Sequence, residues 1–226
     1  MVSGMKKNGE KQRLKPLREL ISNVGKNRIE GSSTKQGYLY HELPFFNSLP
    51  THRKSSKLRA DLIKSNLIIT DKTGLDLGCS VGGITFELQL AGAKMVGIDY
   101  DTDAINLAKE VEKYYNTGAI FTYQPITFQL VFGLQQFDFI VWLNQWMWLA
   151  KQEGEDIARQ ILYTASKKTE VLFFSTSEND GQAKLESVKN PKDVYKLLSR
   201  TTRFKNIENL GIIKDGKHKR TMFKCY

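Results

Sequence analysis

A run of small residues lies between a predicted strand and a predicted helix, and its composition suits a ligand that resembles a nucleotide. Residues 75–83 read LDLGCSVGG. Gly78 permits a tight turn, and Gly82 lets the backbone approach a ligand closely. The free N–H groups at the start of the following helix add hydrogen-bond donors. The segment therefore predicts a binding loop that leads from a strand into a helix.

Two carboxylates beside this loop indicate the ligand. Asp76 lies two residues before Gly78, where it would repel a pyrophosphate but accept hydrogen bonds from an ammonium group. Asp99 ends the next predicted strand, 21 residues after Gly78. An acidic residue at that place can accept hydrogen bonds from both hydroxyls of a ribose. A ligand with a ribose and an ammonium group but no phosphates is S-adenosylmethionine.

These residues resemble the class I S-adenosylmethionine-dependent methyltransferases. LDLGCSVG at 75–82 matches the first family motif, and VGIDYD at 96–101 matches the second. Asp138, in FDFIVWL at 137–143, opens the fourth strand as in many members. Ser80 replaces the middle glycine of the first motif. Pro125 occupies the place of an Asp that many members set near the adenine, so Gln124 or the backbone is expected to contact the adenine instead.

The resemblance implies that the chain binds S-adenosyl-L-methionine and transfers its methyl group. The expected cofactor-binding residues are Asp76, Gly78, Cys79, Ser80, Gly82, Asp99, Tyr100, Gln124, Asn144, Arg53 and Arg59. One alternative is a sheet that binds a nicotinamide dinucleotide, since Gly78-x-Ser80-x-x-Gly83 partly fits that fingerprint. That alternative does not explain Asp76. A second alternative is a catalytically inactive, cofactor-binding partner subunit.

The loop after the fourth strand reads Asn144-Gln145-Trp146-Met147-Trp148 and is expected to form the floor of the acceptor pocket. Families that methylate amino groups carry Asn or Asp followed by two prolines and an aromatic residue, which this loop lacks. Trp146 and Trp148 could stack on a planar acceptor or pack in the core. Asn144 and Trp146 are predicted to contact the acceptor.

An aromatic segment precedes the first helix of the domain and is expected to cover the site. Residues 37–63 read GYLYHELPFFNSLPTHRKSSKLRADLI, a layout similar to that of tRNA wobble-uridine carboxymethyl-transferring enzymes and of glycan- or lipid-tailoring methyltransferases. His41 is a candidate base, because histidine titrates near neutrality; the alternative is a partly exposed structural histidine. Arg53 and Arg59 are predicted to lie on one helix but on different faces, and one of them is expected to reach the methionine carboxylate.

These residues need a framework of alternating strands and helices, which the hydrophobic pattern predicts. Predicted strands lie at 73–77, 93–98, 119–123, 137–143, 171–175, 207–213 and 220–225. Predicted helices lie at 14–24, 51–67, 82–91, 102–115, 154–166 and 191–199. The last two strands flank the turn Asp215-Gly216 and indicate an antiparallel hairpin. The expected fold is therefore a doubly wound, mostly parallel seven-stranded sheet with a C-terminal hairpin strand and helices on both faces.

Composition excludes several other classes of protein. Two cysteines, Cys79 and Cys225, are too few for a disulfide scaffold or a cysteine-rich zinc site. The three histidines, His41, His52 and His218, have no metal-ligand spacing, so we expect no metal. No run of about 18 apolar residues indicates a membrane span, and no apolar segment follows the first lysines as in a signal peptide. A cytoplasmic location is expected.

The formal charge of +10 is unevenly distributed along the 226 residues. Residues 1–35 carry nine basic and three acidic side chains, residues 71–150 four and nine, and residues 151–226 sixteen and ten. We expect residues 1–35 to form a basic, partly disordered extension and 36–226 to form the methyltransferase domain, with 36–67 as its lid and first helix. A small-molecule, glycan or lipid head-group acceptor is favoured. RNA, held by the basic ends, is the alternative.

Overall fold

The computed structural model describes residues 21, 39–46, 51–178, 185–215 and 218–226. The predicted helix at 14–24 lies outside this part except for Ile21, as do the predicted disorder of 1–12 and the proposed boundary at residue 36. Ile21 is buried in a hydrophobic cluster with Leu39, Leu43 and Val81. The basic stretch therefore contributes at least this side chain to the packing of the domain.

Nine described strands and seven described helices alternate along most of the chain. The strands are β1 (Leu39–His41), β2 (Thr51–Arg53), β3 (Thr73–Leu77), β4 (Lys94–Asp99), β5 (Ile120–Tyr123), β6 (Phe137–Leu143), β7 (Thr169–Ser175), β8 (Ile207–Asp215) and β9 (His218–Cys225). The helices are α1 (Ser56–Asn66), α2 (Gly83–Leu90), α3 (Thr102–Tyr115), α4 (Phe128–Gly133), α5 (Trp146–Glu153), α6 (Glu155–Ser166) and α7 (Pro191–Thr201).

Seven strands form the central sheet in the order β5-β4-β3-β6-β7-β9-β8. The pairs from β5 to β7 are parallel, whereas β9 is antiparallel to both of its neighbours, β7 and β8. This arrangement confirms the predicted doubly wound sheet with a C-terminal antiparallel hairpin. The order of the strands reverses between β3 and β6, so a crevice for a ligand is expected at the carboxyl ends of these two strands.

Strand β6 shows why the sheet is covered on both faces. Ile140 and Trp142 belong to the hydrophobic cluster on one face, and Phe139, Val141 and Leu143 belong to the cluster on the other. Alternate side chains of a strand point to opposite faces, so a continuous apolar run fits only a strand with helices on both sides. Residues 139–143 are buried in this way.

At the amino-terminal edge of the sheet, Asp138 joins β6 to β3. Its Oδ2 accepts hydrogen bonds from the backbone amide of Thr73 at 2.7 Å and from the Thr73 hydroxyl at 2.8 Å. These hydrogen bonds, with Lys72 nearby, hold the pKa of the Asp138 carboxyl below its usual value. Asp138 is thus a structural carboxylate, at the opposite end of the strands from the glycine loop.

The prediction that one helix runs from Thr51 to Leu67, with Thr51 as its N-cap, is wrong. Residues 51–53 form β2, which pairs in parallel with β1, and α1 begins only at Ser56. Glu42 explains the later start, because its Oε1 accepts a hydrogen bond from the backbone amide of Lys57 at 3.0 Å. The amide donor at the start of the helix is therefore satisfied by a side chain distant in sequence.

Two short helices were missed in regions predicted as loops. Helix α4 follows β5 and is capped by Thr127, whose hydroxyl accepts from the backbone amide of Leu130. Helix α5 begins at Trp146, directly after β6. Residues 146–148 are therefore helical, which changes the directions in which their side chains point.

Candidate active site

The glycine loop after β3 turns sharply at three residues with positive φ. Gly78 and Gly82 both have φ of 83°, and Ser80 has φ of 52°. The backbone amides of Gly78 and Cys79 both donate to the carbonyl oxygen of Ile98, at 2.8 and 3.0 Å. A side chain at Gly78 would also meet Gln145, since an added Cβ would lie 2.7 Å from the Gln145 side chain. Gly78 is therefore required both for its conformation and for the space it leaves.

Asp99, at the end of β4, is held by two backbone amides. The amide of Ser80 donates to Oδ2 at 2.7 Å, and the amide of Asp101 donates to Oδ1 at 2.9 Å. The side chain is buried. Hydrogen bonds from backbone N–H groups stabilise a buried carboxylate and fix its orientation. A carboxylate oxygen can accept more than one hydrogen bond.

Asp76, near the end of β3, is also buried, and its Oδ2 accepts from the hydroxyl of Thr85 at 2.7 Å. Burial raises the pKa of this carboxyl to about 7, and the neighbouring Asp99 carboxylate contributes to the rise. The Thr85 hydrogen bond and the guanidinium of Arg59 act in the opposite direction. A cationic ligand group beside this buried carboxyl would stabilise its ionised form.

Ser80 and Cys79 differ in the way their side chains are satisfied. The Cys79 thiol donates to the carbonyl oxygen of Ser80 at 3.6 Å, and burial raises its pKa well above the usual value. The Ser80 hydroxyl is buried and has no hydrogen-bond partner among the described residues. An unsatisfied buried hydroxyl costs free energy, so a polar ligand group at this loop would remove that cost.

The segment at 39–46 covers the start of α2. A Cβ added at Gly83 would lie 2.5 Å from the carbonyl oxygen of Glu42 and 2.7 Å from the hydroxyl of Ser56. Backbone from the segment thus lies against the first residue of α2. Gly83 is therefore needed to pack the segment, which accounts for the glycine that partly fitted the dinucleotide fingerprint.

The phenylalanines of this segment fill a hydrophobic cluster. The ring of Phe45 stacks on Tyr115 at a centroid distance of 3.9 Å and meets Phe86 edge to face at 5.3 Å. Phe46 is buried in the same cluster. These contacts anchor the segment to α2 and α3, so the segment is held in place by packing at the side of the glycine loop.

His41 and Arg53 are paired across the small parallel sheet of β1 and β2. Both side chains are half-buried. Arg53 therefore lies on a strand, and the predicted placement of Arg53 and Arg59 on one helix is wrong. Arg59 is on α1, buried, and close enough to Asp76 to influence its pKa.

At the carboxyl end of β6, Asn144 has φ of 61° and is half-buried. Its backbone amide donates to the carbonyl oxygen of Ser175 at 2.9 Å, and the Ser175 hydroxyl donates to Asn144 Oδ1 at 3.0 Å. Left-handed backbone in a residue other than glycine is a conformation often found at functional sites. The end of β7 thus fixes the orientation of the Asn144 carboxamide.

The structure contradicts the prediction that Trp146 contacts the acceptor. Its side chain has no exposed surface, and its indole N–H donates to the carbonyl oxygen of Ala158 at 3.0 Å. The ring also packs on Phe174. Helix α5 begins at this residue and directs it into the core, so Trp146 is a packing residue. Trp148 is 37% exposed.

Two further predicted cofactor residues lie at the ends of neighbouring strands. Tyr100 follows β4 and is exposed, and Gln124 follows β5 and is also exposed. The backbone amide of Gln124 donates to the carbonyl oxygen of Asp99 at 2.9 Å. The cofactor residues predicted from the ends of β3, β4, β5 and β6 therefore lie along one edge of the sheet.

Four residues of this region were missed from the sequence, namely Thr85, Ser175, Gln145 and Glu42. Thr85 had a local signal, because a polar residue on the inner face of α2 needs a buried partner. Ser175, Gln145 and Glu42 meet their partners through strand pairing and loop packing, for which the sequence carries no local signal. Across the described ranges, no helix is long and apolar enough to cross a membrane.

Comparisons with known proteins agree with this geometry. Residues 75–166 match the family model of a methyltransferase domain. No curated protein sequence matches the chain significantly. The identified family match begins in β3 and ends with α6, so it spans the glycine loop, Asp99 and Asn144.

The fold is similar to that of solved methyltransferase structures. A structure of the bifunctional kinase-methyltransferase WbdD has a TM-score of 0.74 at 19% identity, with 92% of this chain and 45% of that chain covered. Magnesium protoporphyrin IX methyltransferase (ChlM) from Synechocystis PCC 6803, with bound SAM, has a TM-score of 0.56 at 17% identity over 74% of this chain and 77% of that chain. The chain thus spans less than half the length of WbdD.

The family-model match and the sheet topology agree with each other. The matched methyltransferase-domain model and the fold support the resemblance to the class I S-adenosylmethionine-dependent methyltransferases that the residues of the glycine loop predicted.

Proposed function

We propose that this protein binds S-adenosylmethionine and transfers its methyl group to a small-molecule or glycan acceptor. The proposal rests above all on Asp99, whose two oxygens are oriented by the amides of Ser80 and Asp101. A carboxylate fixed in this way at the end of β4 is suited to accept hydrogen bonds from the two hydroxyls of a ribose.

Asp76 would balance the charge of the amino group of the cofactor. Its pKa of about 7 leaves the carboxyl partly protonated near neutral pH. A bound ammonium would favour the ionised form, so binding would release a proton. Arg59 lies near the same carboxyl and is the better placed of the two arginines to receive the carboxylate of the methionine part.

The same residues disfavour a nicotinamide dinucleotide. A pyrophosphate at the glycine loop would meet the buried carboxyl of Asp76. The start of α2, where a pyrophosphate binds in dinucleotide folds, lies against the carbonyl oxygen of Glu42. The sulfonium, ammonium and ribose groups of S-adenosylmethionine carry no negative charge, so neither the buried carboxyl nor the Glu42 carbonyl oxygen repels them.

The cofactor supplies an electrophilic methyl group on a sulfonium, and the protein must hold an acceptor in line with it. Asn144 suits that task, because Ser175 engages its Oδ1 and leaves the amide N–H groups as donors toward an acceptor oxygen. His41, half-buried in the segment beside the glycine loop, is the candidate for removing a proton from the acceptor. Trp146 has no part in this arrangement.

A small acceptor is favoured on two grounds. The name of ChlM, one of the similar structures, gives magnesium protoporphyrin IX as its substrate, which is a small molecule. The residues at 71–150, which include the cofactor loop and Asn144, carry nine acidic and four basic side chains. An excess of negative charge beside the site is unfavourable for RNA.

Isothermal titration of the full chain with S-adenosylmethionine, S-adenosylhomocysteine and NAD tests the cofactor. Binding of the first two without NAD is expected, and the reverse would refute the proposal. Isotopically labelled methyl donor with a cell extract, fractionated into small molecules, RNA and protein, then identifies the acceptor class. Label in RNA alone would overturn the acceptor part and leave the cofactor part intact.

A further inference from the structure

A groove of about 410 Å³ runs between α4 and α6, apart from the glycine loop. Its apolar walls are the rings of Phe128, Phe132 and Tyr163, which are 40%, 66% and 45% exposed. Phe128 and Phe132 are four residues apart on α4, and their rings stack at 5.9 Å. Three aromatic rings on one exposed surface form an apolar patch of the kind that marks an interaction site.

Two lysines line one end of the groove and make it basic. The ammonium of Lys167 lies 4.2 Å from the ring centre of Tyr163, and that of Lys168 lies 5.7 Å from the ring centre of Phe132. Lys168 also donates to the carbonyl oxygen of Leu134. Among the described residues, no carboxylate lines the groove and neither lysine forms an ion pair with a carboxylate. The positive charge is therefore not balanced within the groove.

The groove is too open for a small-molecule pocket. Such pockets bury roughly 70–90% of their ligand, whereas the three rings here keep 40–66% of their surface exposed. The other lining side chains, Gln136, Gln160 and Thr164, are uncharged and can donate or accept hydrogen bonds. An apolar floor, a polar rim and a basic end resemble the composition of a protein–protein interface.

The two lysines favour an acidic occupant, which argues against the basic parts of this chain. Residues 1–35 carry nine basic and three acidic side chains, and the whole chain has a net charge of +10. The basic N-terminal stretch therefore does not complement two lysines that have no carboxylate beside them, and the net positive charge of a second copy disfavours it. A nucleic acid is acidic but needs free ring faces on which its bases stack. Here the ammonium groups lie over Tyr163 and Phe132, and Phe128 stacks on Phe132.

We propose that this groove docks an amphipathic helix of a partner protein, with its apolar face on Phe128, Phe132 and Tyr163 and acidic residues beside Lys167 and Lys168. Two helices that flank an open apolar channel form the usual receptor for a helix of this kind. Residues 128–132 of α4 and 160–164 of α6 line the groove, and each stretch rises about 6 Å along its helix, so the groove would contact one to two turns of a partner helix.

Docking at this place leaves the methyltransferase site open. Gln136 and Lys168 immediately precede β6 and β7, so the basic end of the groove lies at the amino-terminal edge of the sheet. The glycine loop and Asn144 lie at the carboxyl-terminal edge. A partner in the groove could therefore position the enzyme without covering its active site.

A displayed library of helical peptides, each about 16 residues long, tests the proposal. The library is selected on the full chain and counter-selected on the Phe132→Gln variant. Recovered peptides should be amphipathic and acidic, and their affinity should fall roughly tenfold or more with Phe132→Gln or Lys167→Glu. The matched controls are Tyr195→Gln and Lys192→Glu, which alter an exposed tyrosine and an exposed lysine of α7.

The same variants supply the folding controls and the outcomes that would overturn the proposal. The control variants and both groove variants should bind S-adenosylmethionine as the parent does, which shows that they are folded. Recovery of basic peptides, of no peptides, or of peptides insensitive to Phe132→Gln would show that the groove is not an acidic helix receptor. Displacement of the peptides by a uridine oligonucleotide, with loss of oligonucleotide binding in Phe132→Gln, would assign the groove to RNA instead.

Discussion

The backbone amide of Ser80 donates to Oδ2 of Asp99 across 2.7 Å, so the glycine loop and the end of β4 hold one carboxylate between them. Ser80 reaches this position because its φ is 52°, a left-handed conformation uncommon outside glycine. The loop thus does two things at once: it leaves space for a ligand and it orients the carboxylate that would bind that ligand.

Replacing Asp99 with Ala is expected to weaken S-adenosylmethionine binding by about 1–3 kcal/mol, because the ribose hydroxyls lose a charged acceptor. Isothermal titration measures the change. The matched control is Asp138→Asn, which alters a carboxylate that also holds a strand end but at the opposite edge of the sheet. Equal affinity in the parent and in Asp99→Ala would show that Asp99 does not bind the ribose.

Asp76 predicts a specific pH dependence of stability in the protein without cofactor. Its folded pKa is about 7 and its unfolded value 3.8, so the native state binds the extra proton between these values. The protonated carboxyl of Asp76 therefore stabilises the folded state at low pH, and this contribution to the unfolding free energy is lost as the pH rises through 7. Relative to Asp76→Asn, the parent should lose about 2–3 kcal/mol of unfolding free energy between about pH 5 and pH 7.

Urea denaturation of both proteins at several pH values measures this difference. The comparison with Asp76→Asn removes the contribution of titrating groups that do not interact with Asp76. Asp99 and Cys79 interact with Asp76, so the measured difference belongs to Asp76 together with these neighbours. Parallel pH profiles for the parent and the variant would contradict the raised pKa.

Gly83→Ala is expected to displace the segment at 39–46 and to cost about 1–3 kcal/mol, because the new methyl group would overlap the Glu42 carbonyl oxygen. Hydrogen exchange should show reduced protection in that segment. Gly133→Ala is the control, because nothing lies within 4 Å of the added Cβ, and its effect should be within about 0.5 kcal/mol. Similar behaviour of the two variants would refute the close contact.

Trp146→Phe should destabilise the protein by about 1–3 kcal/mol, because it removes the hydrogen bond to Ala158 and part of a buried side chain. Trp148→Phe, at the more exposed of the two tryptophans, should cost less than about 1 kcal/mol. Once the substrate is known, neither change should alter turnover per folded molecule. A large loss of kcat in Trp146→Phe with unchanged stability would restore the acceptor role.

His41→Ala tests whether the covering segment takes part in the chemistry. If His41 acts as a base, turnover should fall by roughly 10²-fold or more while the affinity for S-adenosylmethionine is nearly unchanged. Added imidazole should restore part of the activity. Turnover within a few-fold of the parent would leave His41 with a packing role, in keeping with the anchored aromatic rings of the same segment.

The framework of this protein could be read from local patterns. The apolar run of β6 predicted a strand buried on both faces, and the alternation of strands and helices predicted the doubly wound sheet. Gly78, Gly82 and Asp99 stood out because turns and strand ends restrict the residue types that fit there. Hydrophobic periodicity and turn chemistry act over a few residues, so they can be recognised without knowing what lies across the fold.

Contacts between distant segments were decided only by the tertiary structure. Thr51 begins a strand because Leu39 pairs with it, and the sequence around Thr51 fits a helix equally well. Trp146 points into the core because α5 starts at that residue and the carbonyl of Ala158 accepts its indole N–H. Side-chain spacing shows which residues share a face, but which face is buried depends on chain segments that come together only on folding.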